Sequence, residues 1–89
     1  MKVVFSSEAI DDLQGIRSYI AQHDSAAASR VAVQLVAACD QLESLSHRGR
    51  RGLVAGTREL ASVRPYVIVY RVAPLAVEIM RIWHGAQSR

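Results

Sequence analysis

The chain is poor in the residues that build covalent or metal-held scaffolds. It has 89 residues and one cysteine, Cys39, which lies among apolar residues of a helical pattern. A single thiol makes no intrachain disulfide and supplies no cysteine-based metal site, so both are excluded as organising elements. The simple interpretation is a reduced, cytoplasmic protein that uses no metal and no other cofactor.

Long apolar runs are also lacking. No apolar stretch approaches the roughly 18 residues that span a membrane, and the N-terminal "MKVVF" lacks the longer apolar region and cleavage site of a secretory signal. Hydrophobic residues make up 51% and charged residues 21% of the chain, a globular balance. We expect one soluble intracellular domain over residues 1–89 with no membrane partner, because smaller pieces would bury too little core.

Lysine is almost absent as well. Lys2 is the single lysine beside ten arginines, and the formal net charge is +3. The planar guanidinium suits carboxylate and phosphate groups equally. Net charge does not separate nucleic acid from an acidic protein partner, so both stay open.

The first half of the sequence predicts a strand and two helices. "KVVF" is β-branched and aromatic, as in a strand, and apolar residues at helical spacing then predict a helix from Ser7 to Gln22 and a second from Ser25 to Leu45. The short interval between them predicts an antiparallel hairpin. Further apolar positions predict that a second face of the second helix is also covered, by self-association or by a partner: Val33, Val36 and Ala37.

The second half changes to an extended pattern. "SHRGRRGLVAG" predicts a loop, and "TRELASV", "YVIVYRV" and "AVEIMRIW" predict three strands of an antiparallel meander. The middle segment is apolar at nearly every position, which predicts a strand covered on both faces. The fold class is therefore α+β, in the order β-α-α-β-β-β, with the helical hairpin on one face of a small twisted antiparallel sheet. The other face, apolar and studded with arginine, is a candidate partner surface.

The segments "SSEAIDDLQGIRSYIAQHDSAAASR" and "GTRELASVRPYVIVYRVAPLAVEIMRIWHGAQ" together resemble the RelE/ParE superfamily of toxins from type II toxin–antitoxin modules. The resemblance runs from Val3 to Gln87. It implies the same β-α-α-β-β-β fold, growth inhibition, plasmid stabilisation, and neutralisation by a cognate antitoxin that wraps the toxin. It further implies contact with DNA only through the antitoxin, in a homodimer or a toxin–antitoxin heterotetramer.

The superfamily resemblance implies two alternative mechanisms, mRNA cleavage on the ribosome by RelE-like members and inhibition of DNA gyrase by ParE-like members. A metal-free nuclease needs clustered proton-transfer groups and cations, for which the candidates are Arg58, Arg64, Arg81 and His84. Strand alternation places Arg81 opposite His84 unless a bulge intervenes. Val67 stands where RelE-like members tend to carry an arginine, so the ParE-like mechanism is favoured; the nuclease and a non-toxic degenerate member remain alternatives.

Candidate partner-binding residues come from the arginine-rich loop and the strands. The loop "HRGRRG" offers phosphate contacts to nucleic acid or contacts to acidic antitoxin residues, and neither is favoured. The tyrosines are expected in the core or at an interface, with the hydroxyl at a wet edge. The full candidate set is Arg48, Arg50, Arg51, Arg58, Tyr66, Tyr70, Arg71 and Trp83.

Overall fold

The structure, a computed structural model, describes residues 1–85. Its elements in chain order are β1 (Lys2–Phe5), α1 (Ser7–Ala21), α2 (Ser25–Gln41), β2 (Arg50–Arg51), β3 (Arg58–Leu60), β4 (Tyr66–Val72) and β5 (Ala76–His84). The α+β class and the predicted order are confirmed, with one addition. The segment predicted as a loop contributes the two-residue strand β2.

The five strands form one sheet in the order β1-β5-β4-β3-β2. Neighbouring strands are antiparallel except for β1 and β5, which pair in parallel from Lys2 beside Ala76 to Phe5 beside Ile79. The expectation of a wholly antiparallel sheet is therefore wrong at this edge. A parallel pair needs a long crossover connection, and the helical hairpin that follows β1 begins that connection.

Side-chain caps start both helices where the sequence predicts them. The Ser6 hydroxyl accepts a hydrogen bond from the Ala9 N–H at 3.0 Å, and an Asp24 carboxylate oxygen accepts one from the Ala27 N–H at 3.0 Å. Each cap satisfies a backbone donor that has no partner inside the helix. Among residues 1–85, neither helix has the length and apolar content that crossing a bilayer requires.

The second helix is shorter than its pattern predicts, and one of its apolar faces is open in the single chain. It ends at Gln41, four residues before the predicted Leu45, and that leucine is 53% exposed. Val33 is 68% exposed and Ala37 is also exposed, while Val36 is partly buried. This second face is therefore open in the single chain, and its predicted cover by a second copy or a partner stays a prediction.

The core lies between the hairpin and the sheet. Tyr70 and Ile79 from adjacent strands are completely buried there with Leu35 and Cys39 from α2. The central strand β4 is buried from Val67 to Tyr70, which confirms that both of its faces are covered. Because Ile68 and Tyr70 belong to the helix-side core, the valines that alternate with them point to the opposite face of the sheet. These are Val67 and Val69.

A β-bulge in β5 changes which residues face the helices. Val69 pairs with Arg81 and the next residue of β4, Tyr70, pairs with Ile79, so Met80 is the extra residue. Ile79 and Ile82 consequently both enter the core, although strict alternation would place them on opposite faces. Beyond the bulge the alternation resumes.

Candidate functional site

The last part of β5 forms a free edge of the sheet, because β1 ends at Phe5. Two side chains occupy the backbone groups that a neighbouring strand would otherwise bind. The Ser6 hydroxyl donates to the Met80 carbonyl at 2.8 Å, and Asp12 Oδ2 accepts from the Ile82 N–H at 2.9 Å. Polar groups of an edge strand that are satisfied in this way are less available for pairing with another chain.

Asp12 also binds Arg81 through two parallel hydrogen bonds. Arg81 Nε donates to Oδ2 at 2.8 Å and the second guanidinium nitrogen to Oδ1 at 3.0 Å. Burial of Asp12 favours its neutral form, but the hydrogen bonds from Arg81 and Ile82 and the arginine charge outweigh it, so the pKa of Asp12 lies below its ordinary 3.8. Asp12 is not among the candidate residues predicted from the sequence, because no local signal links it to a residue 69 positions away.

The Arg81 guanidinium lies over the Trp83 ring, 5.0 Å from its centroid. With Asp12 on the other side, the arginine is held by an ion pair and a cation–π contact together. The face of α1 and the end of β5 enclose an open groove of ≈ 810 Å³. Its lining residues are Asp11, Asp12, Gly15, Ile16, Tyr19, Tyr66, Arg81, Ile82, Trp83 and His84.

His84 lies at the end of β5 on the helix side of the sheet. It pairs with Tyr66 in the register, and the two rings meet edge to face at 5.8 Å. Arg81 points to the opposite face, as predicted, although both residues border the groove at the free edge. Arg64 precedes the cis bond to Pro65, whose carbonyl accepts from the Gly85 N–H, so Arg64 lies at the His84 end of the sheet.

Arg58 lies far from this end. It pairs with Tyr70, four residues along β4 from Tyr66, which is about 13 Å of strand. Its guanidinium donates to the carbonyls of His47 at 3.3 Å and Gly49 at 2.7 Å. The nuclease candidates therefore do not form one cluster. Arg81 is engaged by Asp12, Arg58 is at the other end, and Arg64 and His84 share an end.

The sheet face turned away from the helices carries paired rather than free arginines. Arg50 binds Glu59 at 3.1 Å, and Arg71 binds Glu78. Arg81, also on this face, is the arginine that Asp12 holds. The arginines of the predicted partner surface are thus matched by carboxylates of the same chain, and the assignment of this face to a partner stays a prediction.

Tyr70 was a candidate partner contact and is instead completely buried. Its hydroxyl donates to the Ser46 carbonyl at 2.8 Å and accepts from the Gly49 N–H at 2.8 Å. A β-carbon at Gly49 would stand 2.8 Å from the Glu59 carbonyl oxygen and from the Tyr70 ring, so only glycine fits here. The tyrosine thus anchors the segment that leads from α2 into β2.

The remaining arginines of this region form what we call the arginine corner, Arg48, Arg51 and Arg58. Arg48 donates to the Gln41 side-chain oxygen at 2.8 Å, and Arg58 to the two backbone carbonyls already described. These acceptors carry no net charge. Among residues 1–85 no carboxylate pairs with any of the three arginines, so their positive charge is not neutralised within this part of the chain.

Within the described residues, neither a reactive thiol nor a group of metal ligands is found. Burial, with a smaller contribution from the Asp40 charge, raises the pKa of Cys39 to about 12. Its thiol is therefore protonated and shielded at neutral pH, which makes it unreactive. Within residues 1–85, no three histidine, cysteine, aspartate or glutamate side chains are grouped closely enough to bind a metal ion.

Comparisons with known proteins agree over nearly the whole chain. A family model described as the ParE toxin of the type II toxin–antitoxin system, parDE, matches residues 3–89. Toxin RelE2 of Caulobacter vibrioides is 45% identical over 86 residues, which cover 97% of each chain. Toxin RelE1 of the same organism is 34% identical over 98% of this chain and 96% of its own. The solved chromosomal ParDE TA system from P. aeruginosa matches with a TM-score of 0.85 at 25% identity, covering 94% of this chain and 95% of that one.

Proposed function

The chain belongs to the ParE toxin family of type II toxin–antitoxin systems, and on this premise we propose that it inhibits bacterial growth by binding DNA gyrase and is neutralised by a cognate antitoxin. The observation that carries the choice of mechanism is the dispersal of the nuclease candidates. Arg81 is bound by Asp12, and Arg58 lies at the opposite end of the strands, beside Tyr70.

A metal-free ribonuclease has to activate the 2′-hydroxyl, hold the scissile phosphate and stabilise the leaving oxygen at one point. An arginine that already pairs with a carboxylate through two hydrogen bonds attracts a phosphate less, because its charge is largely matched, and it has to leave that pair to engage the phosphate with its whole fork. Since Asp12 also binds the backbone of β5, releasing Arg81 would disturb the strand itself. This cost supports inhibition by protein binding over mRNA cleavage.

Inhibition by binding requires an accessible surface with apolar content, and the groove between α1 and β5 supplies one. Tyr19 is 67% exposed, and Tyr66 and Trp83 are partly exposed along the same groove. Aromatic side chains of this kind contribute much of the energy of protein interfaces. We assign this groove to partner contact in the proposed mechanism. The segment that carries the family resemblance ends in Ala86 and Gln87, which lie outside the described residues.

The second candidate function is ribosome-dependent mRNA cleavage. It is favoured by the RelE names of two relatives and by the placement of Arg64 and His84 at one end of the sheet. In that mechanism His84 would be the proton-transfer group and Arg64 the phosphate-binding cation. The nuclease mechanism therefore requires the imidazole of His84 for proton transfer, whereas inhibition by protein binding requires no proton-transfer group.

The test is expression of the chain from an inducible promoter without its antitoxin, together with a supercoiling assay on purified gyrase. We expect arrested growth, inhibited supercoiling and unbroken mRNA. Trp83→Ala should weaken gyrase inhibition, and the matched variant Leu75→Ala, at an exposed apolar residue outside the groove, should retain it, provided that both remain folded by circular dichroism. Cleavage of mRNA that disappears in both Arg64→Ala and His84→Ala would establish the nuclease instead. Normal growth would contradict both toxic mechanisms.

A further inference from the structure

We infer that the arginine corner binds an acidic segment of a partner protein in which carboxylates lie next to aliphatic side chains. The inference goes beyond the proposed function, because this surface lies at the opposite end of the strands from the groove and serves any mechanism of toxicity. It rests on three observations, concerning charge, geometry and neighbouring apolar residues.

Positive charge is concentrated at this corner. Residues 46–59 contain four arginines and a single acidic residue, Glu59, which binds Arg50, and no carboxylate of residues 1–85 pairs with the other three. In the register, Arg51 lies directly opposite Arg58 on the adjacent strand. Like charges in directly opposed positions destabilise a sheet. An anion placed between the two guanidinium groups removes that repulsion.

The Arg58 guanidinium is held in a position from which it can bind such an anion. One terminal nitrogen of Arg58 makes both hydrogen bonds, to the carbonyls of His47 and Gly49, so the rest of the guanidinium fork remains to bind a ligand. A cavity of ≈ 470 Å³ separates this side chain from Arg51 and includes His47, Thr57 and Val72 in its walls. A cation that is already fixed in position loses less side-chain entropy on binding.

The apolar neighbours favour a polypeptide over a nucleic acid. Leu53 is 75% exposed and Val54 is 68% exposed, on the turn that joins β2 to β3 beside the arginines. Aliphatic side chains on that turn match aliphatic side chains of a peptide, whereas single-stranded nucleic acids are bound by aromatic stacking. No phenylalanine, tyrosine or tryptophan lines this cavity in the described part of the chain. The partly exposed Tyr66 and Trp83 lie at the other end.

The experiment measures binding of the purified chain to labelled probes by fluorescence anisotropy near physiological salt. The probes are a peptide of alternating glutamate and leucine, an oligoglutamate of equal charge, and a single-stranded RNA of equal charge. We expect the glutamate–leucine peptide to bind most tightly. Arg51→Glu should weaken its binding about tenfold or more, which corresponds to about 1.4 kcal/mol. The double variant Leu53→Ser with Val54→Ser should reduce it to the level of oligoglutamate.

The matched control is Arg30→Glu, which makes the same charge change at an exposed position on α2 and should leave peptide binding within about twofold, because a screened distant charge contributes little. An equal loss in this control would reduce the effect to net charge and overturn the inference. Tighter binding of RNA, lost in Arg51→Glu, would assign the corner to nucleic acid. Dimerisation abolished by the Leu53 and Val54 double variant would assign it to a second copy, and failure of every probe would also overturn the inference. None of these readouts depends on gyrase or on growth.

Discussion

The two edges of the sheet use arginine in opposite ways. At the β5 edge, Arg81 is held by Asp12 and lies over Trp83. At the β2 edge, Arg51 and Arg58 lie opposite each other on neighbouring strands, and no carboxylate of residues 1–85 pairs with either. A charge that is paired within the chain contributes to folding, whereas a charge left unpaired at a structured surface remains available to a partner. The comparison predicts that substitutions at the first edge change stability and substitutions at the second change binding.

The largest effect on stability is expected from Asp12→Ala. The substitution leaves the Ile82 N–H and the Arg81 guanidinium without their acceptor, which should lower the free energy of unfolding by about 2 to 3 kcal/mol. Urea denaturation followed by circular dichroism measures the change. Asp11→Ala, at the exposed neighbouring residue, is the matched control and should be nearly neutral. Equal effects of the two substitutions would contradict the structural role of Asp12.

Tyr70→Phe tests the internal anchor of the β2 edge. Loss of the hydroxyl leaves the Gly49 N–H and the Ser46 carbonyl without a partner, which should cost about 2 kcal/mol of stability. Tyr19→Phe, at an exposed tyrosine, should change little by the same denaturation measurement. If Tyr70→Phe were also neutral, the segment before β2 would not depend on this anchor.

Acid should weaken the β5 edge selectively. The folded-state pKa of Asp12 is below its ordinary value of 3.8, so its contribution to stability is present above that value and is lost as pH falls through the lower, folded-state pKa. Denaturation midpoints measured across this acidic range should therefore fall more steeply for the unaltered chain than for Asp12→Asn. Parallel pH profiles would show that folding leaves the pKa of Asp12 unchanged, which would contradict the stabilising role of its ionised form.

The smallest effect on stability is expected at the arginine corner. Arg51→Ala removes an exposed charge that faces Arg58, so the free energy of unfolding should stay within about 0.5 kcal/mol or rise slightly. Thermal denaturation with and without the acidic probe peptide separates the two properties. Stability should be retained while the stabilisation by peptide disappears. A marked loss of stability would show that Arg51 contributes to folding, which would contradict the proposed difference between the two edges.

Much of the fold follows from local chemistry that the sequence displays. Ser6 and Asp24 are recognisable caps, and β4 coincides with the apolar segment from Tyr66 to Val72. The parallel pairing of β1 with β5 and the bulge at Met80 are not visible in the same way. Both depend on which elements meet after folding, and neither leaves a mark on the local apolar pattern.

The sequence indicates which residues are candidates for the sites, but it does not indicate which residues they contact. The sequence names Arg81 and His84 as nuclease candidates and Trp83 as a partner contact, but the pairing of Arg81 with Asp12 joins two distant parts of the chain. Tyr70 and Tyr66 look equivalent along the strand, and packing alone makes one a buried anchor and leaves the other at the groove. Among the arginines, the difference between paired and unpaired charge depends on register, which composition does not contain.

The side-chain cover over the end of β5 has a consequence for how a partner can approach. A strand from another protein that seeks the Ile82 N–H finds it occupied by Asp12, and the same carboxylate holds Arg81. Such a strand has to supply an acceptor for the Ile82 N–H and leave Arg81 with a carboxylate partner. Pairing at this edge is therefore favourable only for a strand that replaces both interactions of Asp12, and a strand that replaces one of them leaves the other group without an acceptor.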